Sequence, residues 1–140
     1  MPGWERGVSS SGSGAIARMR VFPVLLGDLN AKMGRKQEED EEALGNHGYG
    51  DRNARGQLLV DLCEDFKLRS VNSFFKGRPG RKWTWISPDR RTRNCIDYVL
   101  APRSIKFRSS TVLGSANAGS DHRILRAIIQ YIYTRLDTDR

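Results

Sequence analysis

Arg93-Asn94-Cys95-Ile96-Asp97-Tyr98-Val99-Leu100 is the stretch on which the fold turns. On extended backbone, alternation puts Ile96, Tyr98 and Leu100 on one face and Cys95, Asp97 and Val99 on the other. Asp97 is then a carboxylate within an otherwise apolar strand face. Burying it ionised and unpaired costs several kcal/mol or shifts its pKa. It needs a donor, for which a histidine is the natural candidate. The competing reading is an edge-strand aspartate facing water.

Two other places put polar chemistry against a strand. Ser120-Asp121-His122-Arg123 comes just before an alternating run of Leu125, Ala127, Ile129, Tyr131 and Tyr133. A histidine at a strand mouth can serve as acid, base or cation. Upstream, an apolar run ends in Gly27-Asp28-Leu29-Asn30. If strand geometry persists there, Asp28 and Asn30 point to the same side. Read alone, this tetrapeptide is better explained as a strand-terminal Asx turn.

Working outward, Leu58, Leu59, Leu62, Cys63 and Phe66 recur at helical steps, with Asn53 as the N-cap. Strands are expected over Val21 to Gly27, Arg69 to Phe74, Lys82 to Ile86, Cys95 to Leu100, Lys106 to Leu113 and Ile124 to Tyr133. Pro79-Gly80, Pro88-Asp89, Ala101-Pro102 and Ala118-Gly119 punctuate them. One helix among strands gives an α/β sandwich layer rather than alternating βαβ units. Residues 1–20, with their Ser-Gly run, are expected to be a disordered leader, residues 21–133 the domain and 134–140 a tail. The acidic run Glu38 to Glu42 reads as a solvated loop. Cys63 and Cys95, with no CxxC or Cys/His cluster, read as buried free thiols of a reducing compartment.

The 140 residues suit one domain, and 38% hydrophobic residues suffice for one core. No run reaches the ~18 apolar residues of a membrane span, and no apolar h-region marks a secretory signal. A nuclear or cytoplasmic chain without a membrane partner is expected. Net charge is +8, from 24 Lys and Arg against 16 Asp and Glu. That excess favours a polyanionic partner, nucleic acid first and an anionic membrane surface second. It is densest from Lys76 to Arg93, where Lys76, Arg78, Arg81, Lys82, Arg90, Arg91 and Arg93 face one acid, Asp89. Trp83 and Trp85 lie among them, so this stretch is read as nucleic-acid-binding, with Trp85 included. Against that, the tryptophans read equally well as core, and the basic residues as lining solvated turns.

The motifs in order resemble the endonuclease/exonuclease/phosphatase superfamily of metal-dependent phosphodiesterases. They are Gly27-Asp28-Leu29-Asn30-Ala31-Lys32-Met33-Gly34, Asn53-Ala54-Arg55-Gly56-Gln57-Leu58-Leu59, Trp83-Thr84-Trp85, Arg93 to Leu100, and Gly119-Ser120-Asp121-His122. The finer likeness is to endonuclease domains of non-LTR retrotransposons and craniofacial development protein 2-like sequences, over about Val21 to Ile132. The resemblance implies that Asp28 orients or deprotonates the attacking water while Asn30 holds water and phosphate. It implies a cationic His122 oriented by Asp97, and Asp121 near a divalent metal. Mg²⁺ or Mn²⁺ suits such carboxylate ligands. The expected fold is α/β, the C-terminal half of a two-sheet α/β sandwich, joined to an unrelated leader. The half that carries an Asn and a metal-binding Glu is absent from the resemblance. Weakened or absent DNA endonuclease activity is therefore expected, with one sandwich face exposed and prone to aggregate. A truncated gene product, or a partner supplying the other half, belongs to the same picture. The alternative function is a non-catalytic fragment that binds nucleic acid or protein.

Overall fold

A central strand buried on both faces organises the domain. The protein is seen here as a computed structural model that describes residues 5–8, 17–20, 22–114 and 119–130. Within it, β1 (Glu5–Val8) pairs with β2 (Ala17–Arg20), and β3 (Leu25–Asp28) ends at the first polar motif. α1 (Ala54–Asp65) leads into the short β4 (Leu68–Ser70), and β5 (Trp85–Ile86) pairs with β6 (Arg93–Asn94). β7 (Asp97–Pro102) follows, and β8 (Phe107–Leu113) and β9 (Ile124–Ile129) form an antiparallel pair.

β7 is the middle strand of an antiparallel sheet ordered β3-β7-β4. Tyr98 and Leu100 pack into a core with Met33, Leu44, Val60 and Cys63. Val99 and Ala101 pack the opposite way, against Val71, Phe107, Leu125 and Ala127. The sheet is thus sandwiched between a layer of helix and loop and the β8–β9 pair, as the α/β sandwich reading expects. Four consecutive residues, Tyr98 to Ala101, are buried. Cys95 joins the Tyr98 core instead of sharing the Val99 face, because the ladder starts only at Asp97.

Several boundaries differ from the periodicity reading, each for a local reason. The strand expected over Arg69 to Phe74 stops at Ser70 and becomes a 3₁₀ turn, Val71–Phe74. There the buried Ser73 hydroxyl donates to the Ser70 carbonyl at 2.7 Å and accepts from the Gly45 amide at 2.9 Å. Such side-chain bonds compete with a ladder. The strand expected from Lys82 shrinks to Trp85–Ile86 after a 3₁₀ turn at Pro79–Arg81. The first strand starts at Leu25, with residue 21 outside the described residues. The last runs Ile124–Ile129, and residues 131–133 lie outside them too, as does the tail. Of residues 1–20 the structure describes only β1 and β2, which pair antiparallel; the Ser-Gly run, on which the expectation of disorder rests, lies outside the described residues.

The helix is where periodicity and structure part most clearly. Asn53 caps it as expected, its Oδ1 accepting from the Gly56 amide at 2.8 Å. The inward residues, however, are Gly56, Val60 and Cys63, while Leu58 is 69% exposed and Phe66 50%. Backbone contact decides this. A Cβ on Gly56 would lie 1.6 Å from the Lys32 carbonyl oxygen, so α1 can approach only by its glycine side. The acidic run is likewise not all solvated. Glu41 forms a largely buried bidentate pair with Arg52, at 2.8 and 3.0 Å, while Glu42 stays exposed, as expected, beside Arg103. The Arg52 hydrogen bond outweighs burial and holds the Glu41 carboxyl below its usual range. Cys63 and Cys95 are free and buried, and burial pushes both thiols up to about 11.

β3 is an edge strand with Leu25 and Leu26 exposed, and Phe22 is exposed just before it. Ile124, Ile128 and Ile129 are also exposed on β9. This is the apolar surface expected of a partial sandwich. Among the described residues, no helix is long and apolar enough to cross a membrane.

The packing predicts unequal costs along α1. Gly56→Ala should destabilise by about 3 kcal/mol or more through forced backbone displacement. Leu58→Ala should cost under about 1 kcal/mol. Urea unfolding of both variants checks this; equal costs would restore the leucine stripe as the buried face.

Candidate active site

Strand register brings the first two polar motifs together. Asp28, the last residue of β3, is the direct cross-strand partner of Asp97, the first residue of β7. Two carboxylates side by side on one face repel each other and call for a cation. The third motif supplies the group. His122 Nδ1 lies 2.9 Å from Asp97 Oδ2, and Nε2 lies 3.6 Å from Asp28 Oδ2. A bridge between Trp85 and His122 carries the histidine into place, with Arg123 N donating to Thr84 O at 2.7 Å.

Burial opposes charge on His122. The Asp97 hydrogen bond and the charges of Asp97, Asp28 and Asp121 more than offset it, so the imidazole is held above its ordinary pKa. With Nδ1–H donating to Asp97, Nε2 is the atom left toward Asp28 and an incoming ligand. Asp97 is the partnered aspartate that its strand context demanded, not an edge residue facing water.

Asn30 behaves differently from the expectation of persisting strand geometry. Its φ is +47°, and its amide donates to Asp28 Oδ1 at 2.8 Å. The Asx turn has therefore formed, and asparagine tolerates the left-handed conformation it requires. This turn fixes one Asp28 oxygen and leaves Oδ2 toward His122.

Asp121 stands beside this cluster. Its Oδ2 accepts from the Trp85 indole N–H at 3.1 Å. The atoms that gather most closely are instead those of Asp28, Asp97 and His122, each within 4.8 Å of the others, a spacing that one cation could share. The Asp97–His122 hydrogen bond already engages two of the three. Hard carboxylate oxygens suit Mg²⁺ or Mn²⁺, which are commonly held by one or two carboxylates plus water and substrate phosphate. Asp121 is not among the atoms that gather this closely and offers one carboxylate beside them, with Oδ2 engaged by Trp85.

Two residues that periodicity did not single out hold the site. Thr84, fully buried between the tryptophans, accepts the Ile96 and Asp97 amides on Oγ1 at 3.1 and 3.2 Å. Asn72 donates to the Asp97 carbonyl at 2.9 Å and accepts from the Val99 amide at 3.0 Å. A Thr set between two aromatics and an Asn inside an apolar run were the only sequence hints.

The basic stretch divides. Lys76, Arg78, Arg81, Arg90, Arg91 and Arg93 are exposed, with Arg90 and Arg91 in the β5–β6 turn. Lys82 turns inward, donating to the Asn72 carbonyl at 2.9 Å and to the Phe75 carbonyl. Burial lowers its pKa, and it braces the chain rather than facing a phosphate backbone. Trp85 is half-buried and committed to Asp121, and Trp83 lies under the guanidinium of Arg123. Neither ring is a freely exposed stacking platform.

A sequence profile of the endonuclease/exonuclease/phosphatase family matches residues 13–122. Craniofacial development protein 2 of Tragulus javanicus is 35% identical over 105 residues, 74% of this chain and 18% of that protein. Craniofacial development protein 2 of Bos taurus is 34% identical over 105 residues, 74% of this chain and 17% of its own length. The chain thus spans less than a fifth of the length of these curated relatives. No solved structure matches it.

Two measurements probe the site. His122 should titrate above ~6.5 by NMR, and Asp97→Asn should bring it down. Because the folded pKa is the higher one, this pair's stabilisation is complete below about pH 6.5 and fades as pH rises through the folded value. A His122 pKa at or below 6.5 would contradict the pairing. Thr84→Val keeps the shape but strands two buried amides, and should cost about 2 kcal/mol in urea unfolding. A loss below about 0.5 kcal/mol would mean water or a neighbour replaces the hydroxyl.

Proposed function

The chain belongs to the endonuclease/exonuclease/phosphatase family, and on that footing we propose that it carries the second half of a metal-dependent DNA endonuclease of retrotransposon origin. The observation that carries this reading is the Asp28–His122–Asp97 constellation, with His122 2.9 Å from Asp97 and 3.6 Å from Asp28. Hydrolysis of a phosphodiester asks for a group to take a proton from water, a cation for charge on the phosphorus oxygens, and something to fix that cation's direction. Those three needs match Asp28, His122 and Asp97.

In this mechanism Asp28 Oδ2 receives a proton from the attacking water. The water oxygen forms a bond to phosphorus as the opposite P–O bond breaks in line, the leaving oxygen keeping the bonding electron pair and taking a proton from solvent. Negative charge that grows on the non-bridging oxygens is met by the His122 imidazolium, presented through Nε2. Asp97 keeps the ring oriented and charged, and Asn30 directs the substrate phosphate. Divalent metals serve this family; here Asp121 would hold Mg²⁺ or Mn²⁺, whose chemistry is Lewis-acid polarisation of a phosphoryl oxygen. One carboxylate makes a weak metal site, so activity of the isolated chain is low. DNA is the favoured substrate class because the net charge is +8 and exposed arginines lie on the loops flanking the site.

A second reading is a non-catalytic fragment that binds nucleic acid or protein. It draws on the exposed Phe22, Leu25 and Leu26 along β3, an apolar edge where a partner supplying a complementary half would dock.

Nicking of supercoiled plasmid in Mg²⁺ and Mn²⁺ separates the two. The expected result is slow, metal-dependent nicking that His122→Ala lowers by at least about 10²-fold. If both folded proteins are equally silent, the endonuclease reading fails and the binding fragment stands.

A further inference from the structure

Around the Trp83 ring the fold gathers positive charge. The Arg123 guanidinium lies 4.0 Å from the ring centroid, and that of Arg93 lies 5.3 Å from it. Arg123 is tied down further, with Nη1 donating to the Gly80 carbonyl at 2.9 Å and to the Trp83 carbonyl at 3.3 Å. Arg81 closes the group. A methyl placed on Gly114 would sit 3.8 Å from Arg123 Nη2 and 3.9 Å from Arg81 Nη1, so both guanidiniums flank one small space. Among the described residues, none of these three arginines has a carboxylate within 4.0 Å. Arg123 Nε is buried without a hydrogen-bond partner.

Three cations held together without a counter-ion repel one another. Burial, and then Arg81 and Arg93, lower the Arg123 pKa. Stacking on an indole offsets part of that cost for Arg123. The benefit is weaker for Arg93, at 5.3 Å from the ring, and the exposed side chains of Arg81 and Arg93 are free to spread into solvent. An oxyanion would relieve all three at once, and the guanidinium fork matches phosphate bidentately. Arg81 also lines a hollow of about 70 Å³ with Lys76 and Arg78, which extends the positive surface. Arg123 directly follows His122 in the chain, and its amide donates to the Thr84 carbonyl at 2.7 Å, which ties the cluster's backbone to the residue whose hydroxyl supports the Asp97 amide.

We propose that Arg81, Arg93 and Arg123, gathered on Trp83, form a phosphate clamp for the sugar–phosphate backbone of DNA. The choice of DNA rests on the endonuclease reading; the clamp itself needs no catalysis. Trp83 is then a platform that aims an arginine, rather than a base-stacking residue. Arg123 enters the binding surface although it lies outside the basic stretch.

The test is binding of a fluorescently labelled DNA duplex in EDTA across a salt series, with inorganic pyrophosphate as competitor. Wild type is compared with Arg81→Gln, Arg93→Gln, Arg123→Lys and a charge-matched control, Arg55→Gln on α1. Thermal melts confirm that each variant is folded. Arg81→Gln and Arg93→Gln should each weaken binding about tenfold and reduce the slope of log K against log salt by about one. Arg123→Lys should weaken binding at unchanged slope, because it keeps the charge but loses the stacked fork. Arg55→Gln should change neither quantity.

The proposal is overturned if wild type binds no duplex, or if Arg81→Gln and Arg93→Gln behave like Arg55→Gln. It is also overturned if the variants lose pyrophosphate while duplex affinity is unchanged, which would assign the site to a free phosphate compound. A clamp verified in this way beside a silent nicking assay would fault the endonuclease reading alone.

Discussion

Register sets Asp28 and Asp97 directly opposite each other across the β3–β7 ladder, and much of the site answers the charge this creates. Like charges at such positions are destabilising unless a cation joins them. His122 joins them from a strand-like approach beside Trp85, with its ring hydrogen-bonded to one carboxylate and close to the other. The contact also ties the β8–β9 layer to the central sheet, since β9 begins two residues later. Packing and chemistry therefore share one set of atoms.

That arrangement requires β7 to start where it does. The Ile96 and Asp97 amides go to the Thr84 hydroxyl, and the Asp97 carbonyl accepts from Asn72. A buried amide or carbonyl left without a partner is costly, so the two side chains hold the strand entrance tightly. Tyr98 adds a third tie, accepting from the Met33 amide at 2.9 Å and donating to the Cys95 carbonyl at 2.7 Å. Its phenol is kept neutral by burial, which pushes its pKa up. Through Met33 this bond connects the strand to the loop after the Asp28 turn. The clasp between Arg52 and Glu41 shapes the same loop from outside, with Arg52 also donating to the Met33 carbonyl at 2.8 Å.

The charge distribution follows the same logic. Three carboxylates act on one imidazole at the centre, while the surrounding loops expose arginines. Such a layout attracts a polyanion from a distance while keeping local negative charge for a cation and a proton. Lys82, Arg52 and the half-buried Arg123 are each tied to backbone carbonyls, which a count of positive charges does not distinguish from free surface residues.

The sequence alone determined the α/β class, the helix with its Asn53 cap and the order of the Gly27–Asn30, Asn94–Leu100 and Ser120–His122 motifs; it raised a partner for Asp97 beside an edge-strand alternative that only the structure decided. These follow from periodicity and desolvation, which act over a few residues and leave a local trace. It misjudged Leu58 and Phe66 on the helix, the solvated state of Glu41, the outward position of Lys82 and the strand over Arg69 to Phe74. Each depends on an atom distant along the chain: the Lys32 carbonyl under Gly56, Arg52 beside Glu41, the Asn72 and Phe75 carbonyls around Lys82, and Gly45 beneath Ser73. Only tertiary structure set Asp28 opposite Asp97, chose Thr84 and Asn72 as supports, and stacked Arg123 on Trp83. Cross-strand register and backbone approach are properties of paired segments, and neither segment records by itself which atoms of the other it will meet.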